Sequence, residues 1–169
     1  MKKRVIILLA VLAVVLIVGI SYYYYFGLRE EKSYEGGSAG AGLANPAEGL
    51  SVEEAAARFD ESFVYYLLIS IGASDLSKPI FGSNPKINLY VGDDIFSAEV
   101  IRGSVNVDSG EIEGEDIIIR TSKEEGAKMV LDRDYIKESF RSGQSSAELV
   151  AGKLELAAKG YLKIYDELS

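Results

Sequence analysis

Residues 87–107 read INLYVGDDIFSAEVIRGSVNV, and this stretch decides the fold. Apolar and polar side chains alternate along it. Two turn signals, Gly92-Asp93-Asp94 and Arg102-Gly103-Ser104, divide the stretch into three runs. A period of two is typical of strands that bury one face. The stretch therefore predicts three short strands joined by tight turns, in an antiparallel meander.

Helical signals lie on both sides of these strands. Ser51-Val-Glu-Glu54 has the pattern of a capping box, which predicts a helix that continues to Ile71. From Phe63 onward this helix is apolar nearly all round, so that it must be enclosed by core or by a ligand. Thr121 or Ser122 is suited to cap a further helix after the strands.

The rest of the chain predicts the remaining elements. Ile117-Ile118-Ile119 is a fourth β-branched run, Lys153-Leu-Glu-Leu156 alternates as a last strand does, and Asp132 or Asp134 caps a helix between them. Residues 161–168 have the spacing of a closing amphipathic helix. These signals predict an α+β domain with an antiparallel sheet of about five strands and helices packed on one face.

Residues 1–26 have the composition of a single transmembrane helix. Basic residues occupy positions 2–4 and precede an uncharged run over residues 5–26. At about 1.5 Å per residue, a helix of this length crosses the hydrocarbon core of a bilayer. The positive-inside rule then places the N-terminus in the cytoplasm. A cleaved signal peptide is the alternative, with Gly19 and Ser21 forming a weak cleavage site.

A flexible linker is predicted after this segment. Gly36-Gly-Ser-Ala-Gly-Ala-Gly42 has little apolar area to bury, and glycine resists a fixed conformation. We therefore expect an anchor over residues 1–26, a linker over 27–49 and a globular domain over 50–169. The expected location is the cell membrane, as a single-pass protein with an extracytoplasmic domain.

Composition excludes several classes of function. The chain has no cysteine and no histidine, which removes disulfides, thiolate and histidine ligands, and the Ser-His-Asp and Cys-His catalytic arrangements. All 26 acidic residues lie after Phe26, together with 15 of the 18 basic ones. Such an acidic domain repels phosphate backbones, so nucleic acid is not expected as a partner. We predict no catalytic residue, metal site or cofactor.

Three acidic groups nevertheless have the oxygen ligands that a cation needs. Asp93-Asp94 fits a turn between strands, and Asp132-Arg-Asp134 fits a helix cap. The acidic residues between Asp108 and Asp116 lack the spacing of an EF-hand loop. We interpret this last group as a solvated acidic hairpin, with a calcium site as the alternative.

Three stretches carry a resemblance to a known family. They are residues 100–110, VIRGSVNVDSG; residues 116–122, DIIIRTS, which run into a helix; and Gly143-Gln144 with residues 151–160, AGKLELAAKG. The glycine spacing and the apolar alternation resemble those of the sterol carrier protein lipid-transfer family, over roughly residues 50–168. The resemblance implies an apolar tunnel between sheet and helices that binds a fatty acyl chain or a sterol without catalysis.

We therefore predict a membrane-anchored domain that binds a lipid, a fatty-acyl ligand or another apolar molecule and is not an enzyme. The alternative is a protein-interaction module of a membrane-surface complex, with a protein partner and no small ligand. An enzyme that uses acidic residues alone is the third hypothesis. The residues expected to form the apolar wall of the ligand site are Phe63, Tyr66, Leu67, Phe96, Val130, Ile136 and Phe140.

Overall fold

The computed structural model describes residues 43–168 of the chain. The predicted anchor, 1–26, lies outside the described residues, as does most of the predicted linker. Within residues 43–168 no helix has the length and apolar character that crossing a bilayer requires.

The domain contains six α-helices, one short 3₁₀ helix (Ala73–Asp75) and five strands in the part of the chain that the structure describes. The helices are α1 (Val52–Ala57), α2 (Glu61–Ser70), α3 (Lys123–Leu131), α4 (Tyr135–Arg141), α5 (Lys153–Lys159) and α6 (Tyr161–Leu168). The strands are β1 (Lys86–Val91), β2 (Asp94–Ile101), β3 (Ser104–Ser109), β4 (Ile117–Thr121) and β5 (Ser146–Leu149). The α+β class is therefore confirmed.

The first predicted helix is two helices. The capping box at Ser51 is present, with hydrogen bonds in both directions between Ser51 and Glu54. This helix ends at Ala57, and Asp60 then begins a second one. The Asp60 carboxylate accepts hydrogen bonds from the backbone N–H groups of Ser62 and Phe63, as an N-cap residue does.

The sheet is mixed, so the prediction of an antiparallel sheet was wrong. The strand order is β3-β2-β1-β4-β5, and β4 pairs with β1 in parallel while the other neighbours are antiparallel. The chain reaches β4 by a crossover from β3 that passes both β2 and β1. Asn88 of β1 fixes this crossover, because its side chain donates to the Ile112 carbonyl and accepts from the Ile112 N–H. The segment predicted to be an acidic hairpin is this crossover.

The last strand also differs from the prediction. Lys153–Leu156, predicted to be a strand, begins helix α5, and the strand that pairs with β4 is Ser146–Leu149. Leu156 and Lys159 are the buried residues of α5, a spacing of three that suits a helix. Gly160 then adopts a left-handed conformation that separates α5 from the closing helix, which is present as predicted.

One face of the sheet carries the core. Ile87, Leu89 and Val91 of β1 are buried and alternate with side chains of the opposite face. Helices α2, α3 and α4 lie over the buried face, since their side chains surround Leu89 and Ile119. The described core extends from Ala47 to Leu168, so the segment from residue 44 onward includes all of it.

Candidate functional site

A small apolar cavity lies between the sheet and the helices α2, α3 and α4. Its volume is about 20 Å³. All of the lining residues except Thr121 are apolar: Leu67, Leu68, Ile71, Leu89, Ile119, Thr121, Met129, Ile136 and Phe140. A volume of this size has room for about one water molecule, whereas pockets for drug-sized ligands measure roughly 300–1,000 Å³. The cavity occupies the place where the resemblance implied a tunnel.

A groove on the surface lies next to this cavity. Ile71 and Ile136 line both spaces, and the groove adds Arg133, Lys137 and Leu168 to its walls, with a volume of about 60 Å³. Arg133 and Lys137 are exposed. Two cationic side chains therefore lie beside the apolar cavity, and Asp134 and Glu138 lie close to Lys137.

The structure brings together three of the seven residues predicted to line a site. Leu67, Ile136 and Phe140 line the cavity. Tyr66 and Val130 are buried elsewhere in the core. Phe63 and Phe96 do not line the cavity and pack against Phe59. Their ring centroids lie 5.2 and 6.5 Å, respectively, from the centroid of the Phe59 ring.

Sequence reasoning missed the other walls of the cavity. Leu68 and Ile71 follow Leu67 at the end of the same helix, but α2 is apolar nearly all round and its pattern does not mark one face. Leu89 was recognisable as a buried strand residue from its alternation, and Ile119 as a strand residue from the β-branched run over residues 117–119. Which of them borders a cavity depends on the parallel pairing that sets Leu89 beside Ile119, and this pairing was not predicted.

A polar network holds helix α4 against α3. The buried carboxylate of Glu125 accepts hydrogen bonds from the hydroxyl groups of Tyr135 and Ser139, both on α4, at 2.9 and 3.0 Å. It also accepts a hydrogen bond from the ammonium of Lys128 at 2.9 Å. Burial alone would raise the pKa of Glu125, but these three donors together hold it below its ordinary value. Glu125 is therefore an ionised anchor for α4.

The network continues through a chain of hydroxyl groups. Ser139 and Ser145 are 2.8 Å apart, and Ser145 and Thr121 are also 2.8 Å apart. Ser139 donates its single proton to Glu125, so Ser145 must donate to Ser139, and Thr121 must donate to Ser145. The chain thus connects the β4 end of the cavity wall with the carboxylate that holds α4.

A second buried polar cluster lies away from the cavity. The ammonium of Lys159 is 2.6 Å from Asp116 and 2.8 Å from Glu155, and it donates to the Ser83 hydroxyl at 3.0 Å. Burial would lower the pKa of Lys159, but the carboxylates of Asp116 and Glu155 outweigh burial and raise it. Lys159 is therefore a protonated ion-pair partner and cannot act as a base toward Ser83.

Solved structures that are similar to this chain include sterol carrier domains. Sterol carrier protein 2 like 2 of Aedes aegypti has a TM-score of 0.36 at 16% identity, over 59% of this chain and 90% of that chain. The sequence resemblance to this family is confirmed as a weak one. Neither a family model nor a curated protein matches the chain.

Two further similar structures show how far the resemblance extends. Sterol carrier protein 2 of Yarrowia lipolytica has a TM-score of 0.33 at 16% identity, over 64% of this chain and 80% of that chain. A sec-alkyl sulfatase has a TM-score of 0.39 at 14% identity, over 68% of this chain but 17% of that chain. We therefore base the function on the residues of this chain.

Proposed function

We propose that this domain binds the acyl chain of a lipid between the sheet and helices α2, α3 and α4, without catalysis. The observation that carries the proposal is the apolar cavity, which shares two wall residues, Ile71 and Ile136, with a groove lined by Arg133 and Lys137. An amphiphile with an apolar chain and an anionic head matches this arrangement. The acyl chain occupies the cavity, and the head lies at the two cations.

Binding requires the cavity to expand, because about 20 Å³ is far too small for an acyl chain. Helix α4 is the wall best suited to move. It is short, running from Tyr135 to Arg141, and it contributes Ile136 and Phe140 to the cavity. Burial of each methylene contributes about 0.8 kcal/mol, so a long chain offsets the displacement of a helix that short.

A matched pair of variants tests the site. Ile119→Phe fills the cavity, whereas Ile117→Phe adds the same ring on the same strand and face, at a buried position that does not line it. We expect titration of residues 44–169 with a long-chain fatty acid to show weaker binding for Ile119→Phe than for Ile117→Phe. Equal binding by the two variants would contradict the proposed site.

The charged groove predicts selectivity for the head group. Replacing both Arg133 and Lys137 by Gln removes two positive charges beside the cavity without changing its apolar walls. We expect this double variant to bind a fatty acid more weakly and to bind the fatty alcohol of equal chain length as the unmodified domain does. If both ligands lose the same affinity, the groove does not hold the head group.

We further propose that residues 1–26 anchor the domain in the cell membrane, with the N-terminus cytoplasmic and the domain outside. The uncharged run over residues 5–26, preceded by basic residues, supports this proposal. Protease added to intact cells should then degrade the domain, while carbonate washing should leave the full chain in the membrane. A full-length domain protected in intact cells would contradict this orientation.

A further inference from the structure

A bend at residues 80–82 exposes two large apolar side chains. Ile80 and Phe81 are each 92% exposed, although adjacent residues of this kind normally pack into a core. Pro79 and Gly82 close the turn, and a Cβ on Gly82 would lie 2.9 Å from Cγ of Pro79. The two side chains therefore stand at the end of a narrow loop and not on a broad surface.

Both ends of this loop are held by one buried residue. The backbone N–H of Ser77 donates to the Lys159 carbonyl at 3.1 Å, and the hydroxyl of Ser83 accepts from the Lys159 ammonium at 3.0 Å. Lys159 is in turn fixed by Asp116 and Glu155. The loop base is thus attached to the core, and Ile80 and Phe81 are presented outward from a fixed support.

We propose that Ile80 and Phe81 form a wedge that inserts into the interface of a lipid bilayer. The proposal rests on the membrane anchor proposed above. An uncharged segment over residues 5–26 precedes the domain, and the chain between it and Leu43 is rich in glycine. Residues 27–42 join the two covalently, and a chain reaches at most about 3.3–3.6 Å per residue, so the domain stays within that reach of an anchored segment.

The charge of the chain after Phe26 indicates that the contact of Ile80 and Phe81 with a bilayer is apolar. After Phe26 the chain carries more acidic than basic residues, so anionic head groups do not attract it. Transfer of side chains of the size of Ile80 and Phe81 out of water is instead favourable, and interfacial insertion places such groups roughly 5–10 Å into the boundary between head groups and acyl chains. A bilayer of phosphatidylcholine is therefore a sufficient partner.

The absence of tryptophan from the chain allows a direct test. The full chain has no Trp, so Phe81→Trp introduces a single reporter at the tip. Asp93→Trp places the same reporter on the exposed turn between β1 and β2, at the far end of β1 from the loop. Each variant is reconstituted in phosphatidylcholine vesicles with and without bromine on the acyl chains, and flotation reports membrane attachment.

We expect the tryptophan emission of the Phe81→Trp variant to shift to the blue and to lose most of its intensity in brominated vesicles. Asp93→Trp should keep the emission of an exposed indole. Equal quenching in both variants, or red-shifted and unquenched emission from Phe81→Trp in vesicles that float, overturns the wedge but leaves the anchor intact. Failure of both variants to float overturns the anchor and the wedge together. The fatty-acid titrations of residues 44–169 do not depend on the anchor, so they test acyl-chain binding separately.

Discussion

The domain contains two buried polar clusters that differ in what they hold. The Lys159 cluster joins unlike charges, with the Lys159 and Asp116 side chains 0% and 2% exposed, and it fixes a loop, the start of β4 and helix α5. The Glu125 cluster holds one short helix, α4, through hydroxyl groups. Losing a hydroxyl hydrogen bond costs less free energy than breaking a buried ion pair. From this comparison we predict a rigid region around Lys159 and a movable wall at α4.

The largest effect is expected from removing the buried cation. Lys159→Met leaves Asp116 charged and buried, which costs about 3–5 kcal/mol of the free energy of unfolding. Thermal and urea unfolding measure this loss. Lys163→Met is the matched control, because Lys163 pairs with Asp75 while both side chains are well exposed, and its loss should stay within about 0.5 kcal/mol. Equal losses for the two variants would remove the claim of a rigid region.

The next largest loss of stability is expected from a substitution in helix α3, which carries Glu125. Gly126 lies beside Glu125 on α3, and a Cβ there would be 2.7 Å from the ring of Phe59. That ring is buried, so we expect Gly126→Ala to destabilise the domain by about 1–3 kcal/mol. Gly152→Ala, whose Cβ meets no atom within 4 Å, is the control. A stabilising Gly126→Ala would show that Phe59 moves freely.

A smaller effect is expected at the carboxylate that holds α4. Glu125→Gln should cost about 1–2 kcal/mol, because the amide still accepts hydrogen bonds but carries no charge. Hydrogen exchange should increase in α4 before it increases in β1. The control is Glu124→Gln, since Glu124 is exposed and also pairs with Lys128. Unchanged exchange in α4 would contradict its role as the movable wall.

The pH dependence follows from the same carboxylate. The pKa of Glu125 in the folded domain lies below its ordinary value of 4.5, so its stabilising contribution is complete above that pH. The contribution is lost as the pH falls through the lowered folded value. The stability difference between the unmodified domain and Glu125→Gln should therefore shrink below about pH 4.5. A difference that grows toward acid would reverse the assigned direction.

The smallest change in stability is expected at a surface ion pair that involves the first residue of α3. Lys123, the first residue of α3, is 2.6 Å from Asp94, but both side chains are more than 40% exposed. Water and salt screen such a pair, so Asp94→Asn should change the free energy of unfolding by no more than about 0.5 kcal/mol. A loss comparable to that of Lys159→Met would erase the contrast between buried and exposed pairs.

The sequence predicted the elements better than their arrangement. The alternation at Ile87, Leu89 and Val91 and the capping box at Ser51 act over a few residues, and both features are present. The parallel pairing of β1 with β4 requires a crossover, and the Asn88 side chain bonds to Ile112 of that crossover, 24 residues away in the chain. No local pattern encodes that contact, so the sheet was predicted with the wrong pairing.

The same limit applies to the site. Leu67, Ile136 and Phe140 were predicted from apolar spacing and do line the cavity, but spacing cannot separate a cavity wall from ordinary core, as Val130 shows. The groove cations were missed because Arg133 looks like part of a helix cap in the sequence. Arg133 and Lys137 line the groove only because α4 lies beside the ends of α2 and α6, which supply the other walls.

Native mass spectrometry of residues 44–169, purified gently and without added lipid, tests the proposed function most directly. The proposed function predicts a copurified mass that matches a fatty acid or a lipid and that is lost on denaturation. A bare chain mass, with no uptake after incubation with a lipid extract, would contradict acyl-chain binding. That result would favour a protein-interaction module.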